Sequence, residues 1–191
     1  PPRSTLFPYT TLFRSGSLGA RRLNEALIEF VEASKDKNNY RILLATGAGQ
    51  YDEVINSFLK KEINVDSLSN VEVVPYIHNM AQVLNAADLI VARAGAITIS
   101  EINAIGRAAV LVPSPNVTDN HQEYNARALE KADAAIVVTE KELDRGGLSA
   151  AINSLLLDSA RLKKMSENSA AMGIRDAAKK IYGIIKKMVE K

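Results

Sequence analysis

The sequence predicts a doubly wound α/β domain: a Rossmann-like parallel sheet covered by helices on both faces and followed by C-terminal helices. Three observations carry this. Five short, almost continuous apolar runs recur along the chain; amphipathic stretches of helical length separate them; and after Gly147 the strand-like runs stop while helical periodicity continues. Strands apolar on both faces, alternating with helices, fit a sheet buried on each side. At 191 residues and 47% hydrophobic, the chain is long enough to bury one good core.

The first fifteen residues, PPRSTLFPYTTLFRS, read differently from the rest. They repeat TLF, carry half of the chain's six prolines and show no sustained period of either kind. They are expected to be a foreign or misread leader, with a genuine irregular arm or edge strand as the alternative. From Gly16 the pattern becomes regular. GSLGA is a glycine-punctuated turn, and Leu23, Ala26, Leu27, Phe30 and Val31 then recur at helical spacing, so a helix opens just after Gly19. The apolar runs Tyr40 to Thr46, Val71 to Pro75, Asp88 to Ala92, Ala108 to Pro113 and Ala134 to Val138 are the predicted strands. Between them, Tyr51 to Lys61, Asn79 to Ala86, Ala96 to Ile105 and His121 to Lys131 are the predicted helices. Three more are expected at Leu148 to Leu157, Ala160 to Met172 and Asp176 to Val189. The organisation is thus a leader (1–15), a nucleotide-binding type of domain (16–158) and C-terminal helices (159–191).

Composition excludes several function classes. A net charge of +2, with no block of Lys or Arg interleaved with aromatics, gives no general pull toward nucleic acid. The absence of cysteine removes disulfides, thiolate zinc sites and a cysteine nucleophile, and agrees with a reducing compartment. No apolar run reaches the ~20 residues of a membrane span, and no signal peptide is recognisable.

Ligands of such sheets sit outside the carboxyl ends of the strands, in the loops that lead into helices. Four loops carry chemistry. In Gly16-Ser17-Leu18-Gly19, small residues let the backbone approach closely and the next helix offers free N–H groups, which favours a phosphate; plain turn geometry is the alternative. In ARAGAITISEI, Ala92 to Ile102, Gly95 turns the chain, Thr98 and Ser100 open a helix, and Glu101 follows deeper in it. A carboxylate there can accept two hydrogen bonds from a ribose cis-diol, or it can merely favour the helix dipole. In TDNHQEYNA, Thr118 to Ala126, Asp119, Asn120, His121, Gln122 and Asn125 gather donors and acceptors at a helix start. Such planar groups read sugar hydroxyls; N-capping would account for Asp119 or Asn120 but not for His121 and Gln122. In PYIHNM, Pro75 to Met80, a strand end could meet a flat base through its backbone, while His78 reads as a solvated turn residue.

Taken in order, GSLGA, YIHNM, ARAGAITISEI and LVPSPNVTDNHQEYNARALEKADAA resemble the C-terminal, donor-binding half of the MurG family, two-domain glycosyltransferases of the GT-B fold. The resemblance runs from about Gly16 to the C-terminus. It implies transfer of N-acetylglucosamine, with inversion, from UDP-N-acetylglucosamine to lipid I, giving lipid II in peptidoglycan synthesis. It places Ser17 by the diphosphate, with Gly16, Gly19 and Gly95 shaping that phosphate region and Ala94, Gly95 and Ala96 leading a helix toward it. It gives the main chain of Ile77 to uracil with Met80 nearby, Ile97 and Thr98 to the nucleotide pocket, Glu101 to the ribose and His121 with Gln122 to the N-acetylglucosamine hydroxyls. No catalytic base falls on this chain, since the family's acceptor-binding half, with its histidine near the acceptor hydroxyl, has no counterpart in it; a chain of this kind is expected to be inactive alone. No Asp-x-Asp motif occurs, and neither a metal nor a cofactor is implied.

Two departures from the family stand out. Ser15 precedes Gly16 where the family carries a second glycine, which puts the first strand in doubt. His121 replaces the first of two glutamines, changing reach and adding pH sensitivity. Other readings stay open: another GT-B UDP-sugar enzyme, such as a diacylglycerol glucosyltransferase or an epimerase, or a non-catalytic nucleotide-sugar-binding module. From Ser159 to Lys191 nine basic residues face three acidic, which favours an anionic membrane surface or is a solvated helix face. By resemblance the full-length protein works in the cytoplasm at the inner face of the bacterial plasma membrane, its membrane association indirect. The last helix carries the stripe Ala177, Ile181, Ile184, Ile185 and Met188, which the family packs against its N-terminal half and which would otherwise favour self-association.

Overall fold

The computed structural model describes residues 9–16, 20–34 and 40–189. Six parallel strands form one sheet: β1 (Tyr9–Arg14), β2 (Tyr40–Ala45), β3 (Val71–Val74), β4 (Leu89–Ala92), β5 (Ala108–Leu111) and β6 (Ala135–Val137). Their spatial order is β3-β2-β1-β4-β5-β6, so the winding reverses between β1 and β4, where doubly wound sheets open a crevice for ligands. Every predicted strand and helix is present, and the sheet has the expected fold class.

The helices form two layers because successive strand residues point to opposite faces. On one face, Phe13, Ile42, Leu44, Val91 and Val110 meet α1 (Arg21–Ser34), α2 (Tyr51–Lys60), α7 (Gly147–Leu156) and α8 (Ser159–Met172). On the other, Leu12, Ala45, Ile90, Ala92 and Leu111 meet α3 (Met80–Ala86), α4 (Ala96–Ile105) and α5 (His121–Lys131). A short α6 (Glu140–Leu143) starts with a capping box in which Thr139 and Glu142 satisfy each other's backbone groups. Gly106 ends α4 at φ +71, and a Cβ there would lie 2.7 Å from Cβ of Ala170. The glycine thus supplies the left-handed cap and lets α8 approach.

Two expectations need correction. The first concerns the leader, whose alternative as an irregular arm or edge strand fails: foreign or genuine, its residues 9–14 form the central strand. Tyr9 to Arg14 pair with Tyr40 to Ala45 on one side, and Thr11 to Arg14 pair with Leu89 to Ala92 on the other. Leu12 and Phe13 are both 0% exposed, one under each helical layer. Strands buried on both faces are read as continuous apolar runs, and Thr10, Thr11 and Arg14 break that run in YTTLFR. Residues 1–8 lie outside the described residues. The second concerns α8, grouped by sequence with the tail. Its Leu162 and Met165 belong to the core, its Ser166 hydroxyl accepts from the Ala108 N–H at 3.1 Å, and its Ser169 hydroxyl donates to Asn103 at 3.1 Å. The amphipathic pattern revealed an apolar face but not the partner of that face. Only α9 (Ala177–Val189) stands apart, with no buried residue.

The central strand makes a measurable difference. Phe13 packs on Phe30 at a ring distance of 5.9 Å, and Phe13→Ala should lower stability by about 3 to 5 kcal/mol, the range for a buried phenyl ring removed from a core. Thr11 has a buried hydroxyl without a partner among the described residues, so Thr11→Val should raise stability by about 1 kcal/mol. Urea titrations of both variants check the pair; a Phe13→Ala protein as stable as its parent would contradict a structural β1.

Candidate functional site

The carboxyl ends of the strands carry the loops singled out by sequence. After β1, Gly16 has φ +79 with open space on its Cβ side, a backbone state that glycine adopts freely. Ser17 and Gly19, assigned to the phosphate region, lie outside the described residues. Beneath this loop sits a polar knot that sequence reading missed. The Ser15 hydroxyl donates to Oδ1 of Asn24 at 2.5 Å. The Asn24 amide donates to the Thr46 carbonyl at 3.1 Å and to Oε1 of Gln50 at 2.7 Å. Asn24 is 2% exposed, so three partners hold a group that would be costly to bury alone. The signal was an asparagine inside the apolar stripe of α1.

At the switch point, α4 begins with bare backbone. Its N-cap is Gly95, no side chain caps it, and its first turn holds no acid. The opening N–H groups, at Ala96, Ile97 and Thr98, therefore look for an acceptor. Gly95 has φ −68, and a Cβ there would meet nothing nearer than the Thr98 hydroxyl at 4.0 Å. Nothing in the fold demands glycine here; the open side admits a close ligand. Ile97 is 75% exposed beside this terminus. Glu101, half-buried, receives a hydrogen bond and ion pair from the Arg14 guanidinium. That partner was not foreseen.

After β3, Ile77 packs its side chain in the core, and the residue is 5% exposed. Tyr76 is exposed and sits edge-on to His78 at 5.2 Å. Met80 opens α3 and packs partly on the same core. A groove of about 410 Å³ runs from Tyr76 and Ile77 past Leu43, Val74 and Val83.

After β5, Asp119 (φ 52) and Asn120 (φ 51) both take the left-handed conformation, which Asp and Asn enter more readily than other non-glycine residues. Asn120 stands at the N-cap of α5 without a side-chain capping bond, and its amide donates instead to Glu123 at 2.8 Å. The capping alternative thus fails for Asn120. The Asn120 amide, and behind it Arg127, hold the Glu123 carboxyl below its ordinary range. Gln122 turns Oε1 to the Ser114 N–H at 3.0 Å, which leaves the two N–H donors of its amide for other work. His121 is exposed on the first turn. Asn125 donates to the Ala94 carbonyl at 3.3 Å, binding the start of α5 to the loop that leads into α4. Arg93, also missed, ties three strand ends: Nη1 donates to the carbonyls of Val112 and Pro113, each at 3.3 Å, and Nη2 to Glu140 at 2.5 Å. A cleft of about 510 Å³ opens beside it, lined by Ser114, Asn120, Glu123 and Lys141 among others. An arginine in an apolar strand end was its visible signal.

The structure therefore gathers a bare helix start, a carboxylate and planar amides at one edge of the sheet. This set suits a hydroxyl-rich anion. Among the described residues no three or more of His, Cys, Asp and Glu converge as a metal would require, and no described helix is long and apolar enough to cross a membrane.

Comparison with known proteins places these features in a family. The family model for the glycosyltransferase family 28 C-terminal domain matches residues 10–181. The UDP-N-acetylglucosamine--N-acetylmuramyl-(pentapeptide) pyrophosphoryl-undecaprenol N-acetylglucosamine transferase of Thermoanaerobacter sp. (strain X514) is 47% identical over 171 residues, covering 90% of this chain and 46% of that protein. The protein of that name from Acetivibrio thermocellus is 41% identical over 183 residues, covering 96% of this chain and 48% of that protein. The crystal structure of Acinetobacter baumannii MurG superposes with a TM-score of 0.78 at 27% identity, covering 98% of this chain and 51% of that one. The chain thus spans about half the length of the relatives it matches.

Proposed function

The chain belongs to the glycosyltransferase family 28 C-terminal domain family, and from that premise we propose that it is the donor-binding half of an inverting transferase that moves N-acetylglucosamine from UDP-N-acetylglucosamine to lipid I. One observation carries the reading: the uncapped start of α4 beside the open side of Gly95, with Glu101 further along that helix and α5 tied to the same loop by Asn125. A diphosphate meets the α4 N–H groups and the Gly16-Ser17-Gly19 loop, where helix dipole and donors act together. Ile97 and Thr98 flank the nucleotide, Ile77 reads uracil through its main chain with Met80 alongside, and Glu101 accepts from the ribose. His121 and Gln122 read the sugar.

In this reading the attacking oxygen is the 4-hydroxyl of the muramoyl unit of lipid I. Its base comes from the other half of the enzyme, and this chain supplies no catalytic residue. What it does supply is stabilisation of the negative charge that grows on departing UDP, through preorganised N–H groups that need not reorient during the reaction. The full enzyme works at the cytoplasmic face of the membrane that holds its lipid-linked acceptor, and α9 turns its apolar stripe toward the half outside the matched span.

Two measurements test the proposal. In paired calorimetric titrations, Glu101→Ala should weaken both UDP and UDP-N-acetylglucosamine by about 2 kcal/mol, the worth of charge-assisted bonds to ribose. Gln122→Ala should weaken only UDP-N-acetylglucosamine, by about 1 to 3 kcal/mol. Gln122→Glu keeps the acceptor for the Ser114 N–H while removing the amide donors, so it should reproduce the selective loss. Equal losses for both ligands in the Gln122 variants would remove the sugar role.

The second concerns α9, where Ile181, Ile184, Ile185 and Met188 are 53–73% exposed. The chain without a partner half should self-associate as concentration rises, and Ile184→Lys should suppress it. Light scattering that finds a strict monomer at all concentrations would contradict an interface on this stripe.

A further inference from the structure

We propose that Arg93 sets the sugar selectivity of the site by fixing the peptide group against which Gln122 is oriented. The inference rests on the reading of Gln122 as a sugar reader and adds a positioning residue behind it. Arg93 follows β4 directly, and its guanidinium continues the sheet where the backbone ladder stops. Beyond β5 the Val112 N–H still bonds the Ala92 carbonyl at 2.9 Å, but Pro113 has no N–H to carry the ladder further. Nη1 of Arg93 takes over, donating to the carbonyls of Val112 and Pro113, each at 3.3 Å. Nη2 is held at 2.5 Å by Glu140, the first residue of α6. The two side chains are only 17% and 21% exposed, so the pair is less screened than an ordinary surface one.

The Pro113 carbonyl and the Ser114 N–H belong to one peptide group. In a planar trans peptide they point in opposite directions, so an oxygen drawn to Arg93 aims the N–H away from it, and Oε1 of Gln122 accepts that N–H at 3.0 Å. The cation on the carbonyl also polarises the peptide and strengthens the bond on its nitrogen side. Because this peptide offers Gln122 a donor, the carboxamide turns its oxygen inward and keeps its two N–H groups for a ligand. Were the peptide to turn over, it would offer an acceptor, and the carboxamide would flip and present an oxygen to the sugar instead. Asn125, one turn further along α5, bonds the Ala94 carbonyl next to Arg93, which holds the helix in place while the carboxamide is set. Arg93 thus acts on the sugar end of the donor and not on its nucleotide.

NMR titration with UDP and with UDP-N-acetylglucosamine tests this on the parent chain, Arg93→Met, Glu140→Gln, Gln122→Ala and the double variant of Arg93 and Gln122. Methionine keeps much of the aliphatic stem and removes the charge. Arg93→Met should weaken UDP-N-acetylglucosamine about threefold to tenfold, the worth of one ordinary hydrogen bond. It should leave UDP nearly unchanged and add nothing once Gln122 is already Ala. Glu140→Gln removes only the charge that anchors the guanidinium, and should weaken the same ligand by less. On the parent chain, which needs no substitution, the Ser114 amide should exchange slowly with solvent; free exchange there would overturn the link to Gln122 even if Arg93→Met does not fold. If Gln122→Ala weakens UDP-N-acetylglucosamine selectively but neither Arg93→Met nor Glu140→Gln does, the positioning role is refuted and the sugar reading survives. If Gln122→Ala shows no selectivity, both are refuted.

Discussion

Everything at the candidate site hangs from the central strand. β1 is paired on both sides, to β2 and to β4, and it is where the winding of the sheet reverses. Its Leu12 seals one helical layer and its Phe13 the other. Because neighbouring strands run parallel, the chain leaves each one at the carboxyl edge and returns to the other edge through a crossover, usually a helix. The loops that result all open on one side of the sheet. A parallel sheet covered on both faces thus collects its loop backbone, with the helix starts that follow, along a single edge.

That edge is rigid where it can be satisfied internally and bare where it cannot. Asn24 locks the ends of β1 and β2, Arg93 locks those of β4, β5 and β6, and Asn125 locks α5 to the loop before α4. These are polar side chains held by hydrogen bonds within the protein. Between them the first turn of α4 has no cap. Helix starts left without a side-chain cap present free N–H groups to an anion. The contrast between knotted supports and a bare helix start is the physical case for a ligand here.

Much of this was legible in the sequence, for identifiable reasons. β2 to β6 are apolar runs bounded by turn residues, and α1, α2, α4 and α5 repeat apolar residues at helical spacing, so both periods were visible. β1 was not, because two threonines and an arginine interrupt the apolar residues of YTTLFR, and it follows a proline-rich stretch. α6 has only four residues, although its T-x-x-E start is a readable cap. The exposed site positions, Ile97 and His121 among them, could be picked out as polar or apolar residues at helix starts. Arg14, Asn24 and Arg93 could not be assigned roles, because each acts through a contact with chain far away. Glu101 illustrates the limit: its place on α4 was predictable, and its pairing with Arg14 depended on a strand that the pattern did not reveal.

The central claim is that a nucleotide sugar lies across this edge with its diphosphate on the start of α4. A crystal structure of the chain with UDP-N-acetylglucosamine tests it most directly. The account predicts phosphate oxygens about 2.7 to 3.2 Å from main-chain nitrogens in the first turn of α4, with the uracil against Ile77 and the sugar toward His121 and Gln122. A ligand seated instead in the groove between Leu43 and Val83, with the α4 start untouched, would contradict it.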